Sequence, residues 1–312
     1  MPTKTSQPTP TEPHGNAIRV TLLGPFELLA TGDVPRARMP SDLQRLLAIL
    51  LVHRGQPHSR EALGHLLWPG TQLEQRRKGL RQALWKLHQV GIGRQGGTLD
   101  VDDGYVTLNS GDGLWLDVAA FEAAYAEARG VESTALPDNV ADRLTQAAGL
   151  YRGELLQGWD EPWCLAERWR LAAVNIMMLD RLCNHCIETR HMEAGLTHVR
   201  RILAQEPARE RSHRQLMLLL ALTGDREKAL EQFHQCVEAL RTTFDLPPEG
   251  STVALYESIR SGGDVLVPLP PEDDRGAWKN QSQRLAGDVA ALIDRLNRLG
   301  PLNPADTDGN AT

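Results

Sequence analysis

The chain is poor in aromatic residues, 5% of its 312, and holds only four cysteines. It has no run approaching the roughly 18 apolar residues of a membrane-spanning helix, so no membrane span is predicted. No GxxxxGK[ST] phosphate loop, GxSxG nucleophile elbow or HExxH zinc signature occurs. Gly91-Ile-Gly93-Arg-Gln-Gly96 does spell GxGxxG. It follows a helical pattern and precedes a hairpin pattern, whereas a dinucleotide site needs a strand before it and a helix after it. The segment therefore reads as a hinge. The acid pairs Asp102-Asp103 and Asp273-Asp274 fall in turn or linker sequence, where carboxylates are solvated. The ten histidines are scattered, with His53, His65 and His88 at helix surfaces or partly packed. No catalytic constellation assembles, so neither an enzyme, a cofactor nor a metal is expected.

The cysteines are Cys164, Cys183, Cys186 and Cys236. Residues 1–17 are polar and rich in Pro and Thr, without the apolar core of a signal peptide. They are expected to form a disordered leader, with the thiols reduced in a cytoplasm. Cys183-Asn-His-Cys186, with His191 and His198 downstream, has the look of a metal half-site. Structural zinc needs a second pair at matching spacing, and this one lies inside a helical pattern. Two small apolar residues at i and i+3 of a core helix are the expectation.

Charge is unevenly divided. Residues 18–110 carry twelve Lys/Arg against eight Asp/Glu, a net +4, and residues 111–312 carry twenty-one against thirty-one, a net −10. A mildly basic front joined to an acidic rear fits a nucleic-acid module coupled to something else.

In the front part, residues 18–29 alternate as strands do and break at Gly24-Pro25. Thr31-Gly32-Asp33 reads as a turn into a further short strand, giving a small antiparallel sheet before the first helix. Leu43, Leu46, Leu47, Leu50 and Leu51 form the stripe of a core helix, with Ser41 as its N-cap and Gly55 as its end. A second helix runs from a Ser59 cap to Pro69-Gly70. Thr98–Leu108 is two short strands about an Asp103-Gly104 turn.

Between them lies Leu73–Gln89. At about 100° per residue, Leu73, Leu80, Leu84 and Leu87 stack on one side of a helix. Lys78, Gln82 and Trp85 fall opposite, flanked by Arg81 and Lys86, and Arg76 and Arg77 crowd the first turn. Segment 71–94 holds six basic residues, the sixth being Arg94, against the single acid Glu74. Such a face suits a DNA major groove, because Arg and Lys reach guanine edges, Gln reaches adenine, and the cations neutralise phosphates. Alone, it equally describes a solvated surface helix. Its neighbours decide. A second helix, a short turn, a basic third helix and a hairpin make a winged helix-turn-helix.

The rear reads as helical from Trp115 onward, over 117–129, 138–152, 162–190, 192–205, 208–223, 225–242 and 249–261. Ala194-Gly195-Leu196 and Lys228-Ala229-Leu230 coincide at a shift of 34 residues, the tetratricopeptide period, which places small residues where paired helices touch. This half reads as a protein-interaction solenoid. Residues 263–280 read as linker. Leu285, Val289, Leu292, Ile293, Leu296 and Leu299 mark an amphipathic helix within 281–312, which needs its own chain, a second copy or a partner to cover its stripe.

The residues also resemble a known family, the SARP (antibiotic-regulatory-protein) class of bacterial transcriptional activators. The front likeness runs through Leu23-Gly24-Pro25-Phe26, Gln44-Arg-Leu-Leu-Ala48, Leu66-Leu-Trp68, Leu80-Arg-Gln-Ala-Leu-Trp-Lys-Leu87 and Gly104-Tyr105. The rear likeness includes Leu116-Asp117-Val118 with Phe121, Tyr151-Arg-Gly-Glu-Leu-Leu156, Trp163 with Glu167-Arg168, Pro207-Ala-Arg-Glu210, Leu216-Met217, Leu222-Thr-Gly-Asp-Arg226 and Leu255-Tyr-Glu257. It covers about residues 18–262 in the family's order. The third helix ends Lys86-Leu87-His88 where the family often has a further Arg, so His88 is given no phosphate.

The resemblance implies an OmpR-type winged-helix DNA-binding domain over 18–110, and a tetratricopeptide-like bacterial transcriptional activator domain over 114–262. It implies binding to direct repeats in double-stranded promoter DNA and contact with RNA polymerase, for which the Pro69–Gln72 loop is a candidate surface. The helical domain would carry homodimer contacts or signal input. Lys78, Arg81, Gln82 and Trp85 are the expected base-facing residues, although Trp85 has packing against the wing or helical domain as its alternative. Arg76, Arg77 and Lys86 are the expected phosphate contacts. In the wing, Arg94, Gln95 and Thr98 would approach the minor groove or backbone, and Tyr105 would pack under the hairpin. Two other readings stay open. One is a protein-interaction adaptor whose winged helix no longer binds DNA, and the other is a small-molecule sensor working through the helical domain.

Overall fold

The computed structural model describes residues 18–30, 39–92, 97–102, 104–131 and 136–262. The leader, the 31–33 turn, Arg94, Gln95, Asp103, the linker and the amphipathic helix lie outside the described residues.

Two short strands begin the fold, β1 (Ile18–Thr21) and β2 (Glu27–Ala30), paired antiparallel as the alternation predicts. Helix α1 (Ser41–Val52) buries Leu43, Leu46, Leu47, Leu50 and Leu51. Ser41 is its first helical residue and not its cap. Pro40 occupies the cap with ψ 145°, and its carbonyl accepts from the N–H of Leu43 and Gln44, each at 3.0 Å. The two-residue strand β3 (His58–Ser59) leads into α2 (Arg60–Leu67), capped by Ser59 as expected, and α3 (Leu73–Gln89) follows. The wing is β4 (Gly97–Val101) and β5 (Tyr105–Ser110), with β3 on the other side of β5.

The N-terminal sheet differs from the expected one. Its third strand, β6 (Leu114–Leu116), arrives from beyond the wing and pairs with β1 in parallel, so the sheet order is β2-β1-β6. Three residues are too few to display strand alternation, so Trp115 falls in a strand that the sequence pattern does not show, and the first rear helix begins at Asp117 as expected.

From there the chain is helical: α4 (Asp117–Arg129), α5 (Asp138–Leu150), a 3-10 turn (Pro162–Cys164), α6 (Leu165–Glu188), α7 (Met192–Gln205), α8 (Glu210–Leu222), α9 (Arg226–Phe244) and α10 (Gly250–Ser261). The repeat register is physical. A Cβ on Gly195 would stand 3.0 Å from a Leu219 methyl carbon and 3.2 Å from Cys186 Cβ, so α7 packs tightly against both α6 and α8. Ala229, its counterpart in α9, is fully buried. Cys183 and Cys186 are free thiols buried in α6, and burial pushes both up from the ordinary thiol range.

One apolar core runs through both halves. Ile18, Val20 and Leu22 share it with Leu47 and Leu87 in front, and with Phe121, Leu144, Leu155 and Leu171 behind. A second core closes the rear, around Leu196, Met217, Leu219, Leu255 and Ile259.

Candidate nucleic-acid interface

The two faces of α3 are as opposed in space as in sequence. Leu80, Ala83, Leu84 and Leu87 are buried against the core. Leu73 is not. It is 40% exposed, at the first residue of α3. The α2–α3 angle is set by two close approaches. The Trp68 ring lies where a Gly79 Cβ would come within 3.3 Å, and Arg76 Cβ lies 3.3 Å from where a Gly64 Cβ would stand. Trp68 Nε1 donates to Asp42 Oδ2 at 3.0 Å, tying this corner to α1. Gly70, at φ +79°, makes the turn between the helices.

On the outer face Arg77, Lys78, Arg81, Gln82, Trp85 and Lys86 are all exposed. Among the described residues Lys78, Arg81 and Lys86 have no ion pair. Arg77 reaches Glu74 at 3.3 Å, a surface pair of i,i+3 type worth at most about 1 kcal/mol, so a phosphate competes for it easily. Arg76 is placed differently from the rest. Its Nε donates to the Thr71 carbonyl at 2.9 Å and its Nη1 meets His65 Nδ1 at 3.0 Å, so it braces the turn.

Trp85 is 64% exposed. It forms one wall of a shallow groove of about 420 Å3 completed by Leu84, His88, Gln89 and the wing residues Leu99 and Val101. The wing's own alternation places Val106 and Leu108 inside. Tyr105 therefore falls on the opposite side and stands 52% exposed, not packed under the hairpin. Asp102 Oδ1 accepts from the N–H of Tyr105 and of Gly104, which holds its carboxyl below the usual range and fixes the wing tip. Arg60 Nη1 donates to the Asp102 carbonyl at 2.9 Å and so ties that tip to α2. Thr98 is exposed on β4, with Asp100 following it on the same face.

The helical half grips the winged helix through buried polar contacts. Asp117, at the first turn of α4, is 1% exposed. Its carboxylate accepts from the backbone N–H of Leu22, Leu23 and Val118 at 2.7–2.9 Å. Burial pushes this carboxyl up, against the pull of those donors and of Arg152. The Leu156 N–H donates to Leu22 O at 2.8 Å, and Gln157 N–H to Gly24 O at 2.9 Å. Arg168 holds that loop from behind through the carbonyls of Leu155 (3.0 Å) and Trp159 (2.9 Å). Glu122 bridges Arg54 of the front half, at 2.5 Å, and Arg170 of α6. Burial alone would raise Glu122, but the two guanidiniums outweigh it and hold the carboxyl low. Sequence reasoning gave Asp117 and Arg168 no role. The Asp117 partners Leu22 and Leu23 lie 95 and 94 residues away, beyond any local pattern.

With this geometry in place, comparison with known proteins is decisive for the rear half. Residues 116–260 match the family described as bacterial transcriptional activator domain. The rear half is a bacterial transcriptional activator domain. Joined to the winged helix, the activator domain gives the chain the SARP-type architecture. The regulatory protein AfsR of Streptomyces coelicolor is 26% identical over 259 residues, which cover 83% of this chain and 26% of AfsR. The chain thus spans about a quarter of that relative's length. The transcriptional regulatory protein MoaR1 of Mycobacterium tuberculosis is 24% identical over 291 residues, covering 90% of this chain and 89% of MoaR1. Among solved structures, Mycobacterium tuberculosis EmbR in complex with a low-affinity phosphopeptide superposes with a TM-score of 0.63 at 18% identity, over 89% of this chain and 71% of EmbR. That likeness speaks for the fold. Among the described residues no helix is long and apolar enough to cross a membrane.

Proposed function

We propose that this protein is a sequence-specific DNA-binding transcriptional activator, with 18–110 as its DNA reader and 114–262 as its regulatory half. The observation that carries the reading is the outer face of α3, where exposed cationic and amide side chains share one side of a helix whose other side is sealed in the core. Seated in a major groove, Lys78, Arg81, Gln82 and Trp85 meet base edges, while Arg77 and Lys86 neutralise phosphates. Arg76 supports the turn beneath them and is the phosphate contact of least weight. Arg94, Gln95 and Thr98 place the wing beside the backbone or minor groove. The exposed Leu66 and Leu73 flank the Trp68–Gln72 turn, which makes the Pro69–Gln72 loop the candidate RNA polymerase contact. Homodimer contacts belong to the activator domain, and the cytoplasm is where promoter DNA would be met.

The test is DNA-binding anisotropy across a salt series on a site selected from random-sequence duplexes. Affinity should fall steeply with salt, and Arg77→Ala and Lys86→Ala should each lessen the log–log slope by about 0.9. Lys78→Ala and Arg81→Ala should instead relax sequence preference. Weak binding unaffected by all four changes would move the adaptor reading to first place.

A further inference from the structure

The exposed indole of Trp85 is chemically out of place on the outer face of α3, where its neighbours Lys78, Arg81, Gln82 and Lys86 are polar. Among the described residues it has no ring partner, cation or hydrogen bond of its own. Its solvent-facing side is directed with Gln82 and Lys78, at i−3 and i−7, along one helical ridge. Behind it the groove runs between α3 and the wing, where Leu84, Leu99 and Val101 supply apolar lining and His88 and Gln89 polar lining.

The occupant can be named from the chemistry of duplex DNA. In the major groove the base edges present donors and acceptors, and the apolar group among them is the thymine C5-methyl. Gln82 and Trp85 are separated by about 4.5 Å of helix rise, close to the roughly 3.4 Å spacing of base pairs. The two therefore address the same or adjacent base pairs. An amide that pairs with adenine next to an apolar ring that covers a methyl group is matched by an A·T pair or step.

We infer that Trp85 is a specificity-determining residue, selecting thymine through its 5-methyl group beside an adenine read by Gln82. This rests on the proposal that α3 enters the major groove. It goes further by naming the base and the atom group that Trp85 reads, and by assigning the groove beside it to DNA instead of to a protein partner.

The test uses the full chain and a duplex selected from random sequence by that chain. Each thymine in the selected site is replaced in turn by deoxyuridine, which removes the methyl group and leaves base pairing intact. Binding is read by anisotropy for the parent, Trp85→Ala and Trp85→Phe, with melting curves confirming that each variant is folded. The expected result is one thymine, adjacent to an adenine on either strand, at which deoxyuridine weakens the parent about fourfold, the equivalent of one methyl group left unburied. Trp85→Ala should lose that discrimination, and Trp85→Phe, which keeps an apolar ring, should retain part of it. If the parent binds its site but no deoxyuridine position matters, or if Trp85→Ala keeps the same penalty, the inference is overturned and the groove belongs to a protein partner. If the parent selects no site at all, the DNA-reading proposal fails and this inference falls with it.

Discussion

Asp117 offers the sharpest test of how the two halves are joined. Its carboxylate is the acceptor for three backbone N–H groups, two of them on the chain just after β1. Asp117→Ala leaves these buried donors without a partner. A buried unsatisfied donor costs about 1–3 kcal/mol, so three of them cost about 3–6 kcal/mol once a water entering the vacated space recovers part of the loss. Asp117→Asn is the more discriminating change. It keeps the shape and one acceptor oxygen but turns an NH2 group toward an N–H donor, for an expected loss of about 1–3 kcal/mol. Urea denaturation at pH 7, followed by tryptophan fluorescence and by far-ultraviolet circular dichroism, gives the midpoints. Both variants should shift them down in the order Ala, then Asn, with coincident transitions by the two probes, because the shared core unfolds as one unit. A loss below about 1 kcal/mol for Asp117→Ala, or separate transitions for the two halves, would refute the reasoning.

Three further outcomes are expected. A fragment of residues 18–110 lacks β6, Asp117 and the Leu155–Gln157 contacts, so it should show no cooperative melting while 18–262 does; a cooperative transition in the short fragment would contradict the shared core. Gly195→Val drives side-chain atoms into Leu219 and Cys186, already 3.0 and 3.2 Å from a single Cβ, and should destabilise by about 1–3 kcal/mol in urea melts; a neutral result would mean that α7 is packed more loosely than described. Burial, aided by the nearby charge of Arg201, lowers His198 from 6.5 to about 4. Its neutral form is favoured by the fold, so the stability it contributes is present above pH 6.5 and lost as pH falls toward 4, on the order of 2 kcal/mol after allowance for solvent. His53, His58 and His213, also lowered first by burial, act in the same direction. Urea midpoints at pH 7.5 and 5 should converge in His198→Gln relative to the parent, and equal pH slopes in the two proteins would remove His198 from the account.

The legible parts of this fold were those carried by period. The α3 stripe, the wing hairpin and the 34-residue shift between Gly195 and Ala229 all arise from repeats that a single sequence displays, and α4, α7 and α10 fall on or within a residue of their expected bounds. What escaped was carried by sequence-distant pairing. Strand β6 has three residues and pairs with β1 across the whole winged helix. Asp117 and Arg168 act through backbone atoms of segments that no helical or strand period connects to them. Tyr105 was misplaced by one pleat, since Val106 and Leu108 take the inside of β5 and leave their neighbours outside. Arg76 sits among the basic residues in sequence, and only its bonds to Thr71 and His65 separate it from them.

The central claim is that α3 is a reader of sequence and not merely a basic surface. The most direct measurement is the ratio of affinities for the selected duplex and a scrambled one of equal length, at one physiological salt concentration, for the parent, Arg81→Ala and Gln82→Ala. The account predicts a parent ratio of about 1,000 or more, reduced about tenfold by either change through the loss of a base contact, with binding to the scrambled duplex little altered by Gln82→Ala. A parent ratio near one, or variants that weaken both duplexes equally, would contradict it.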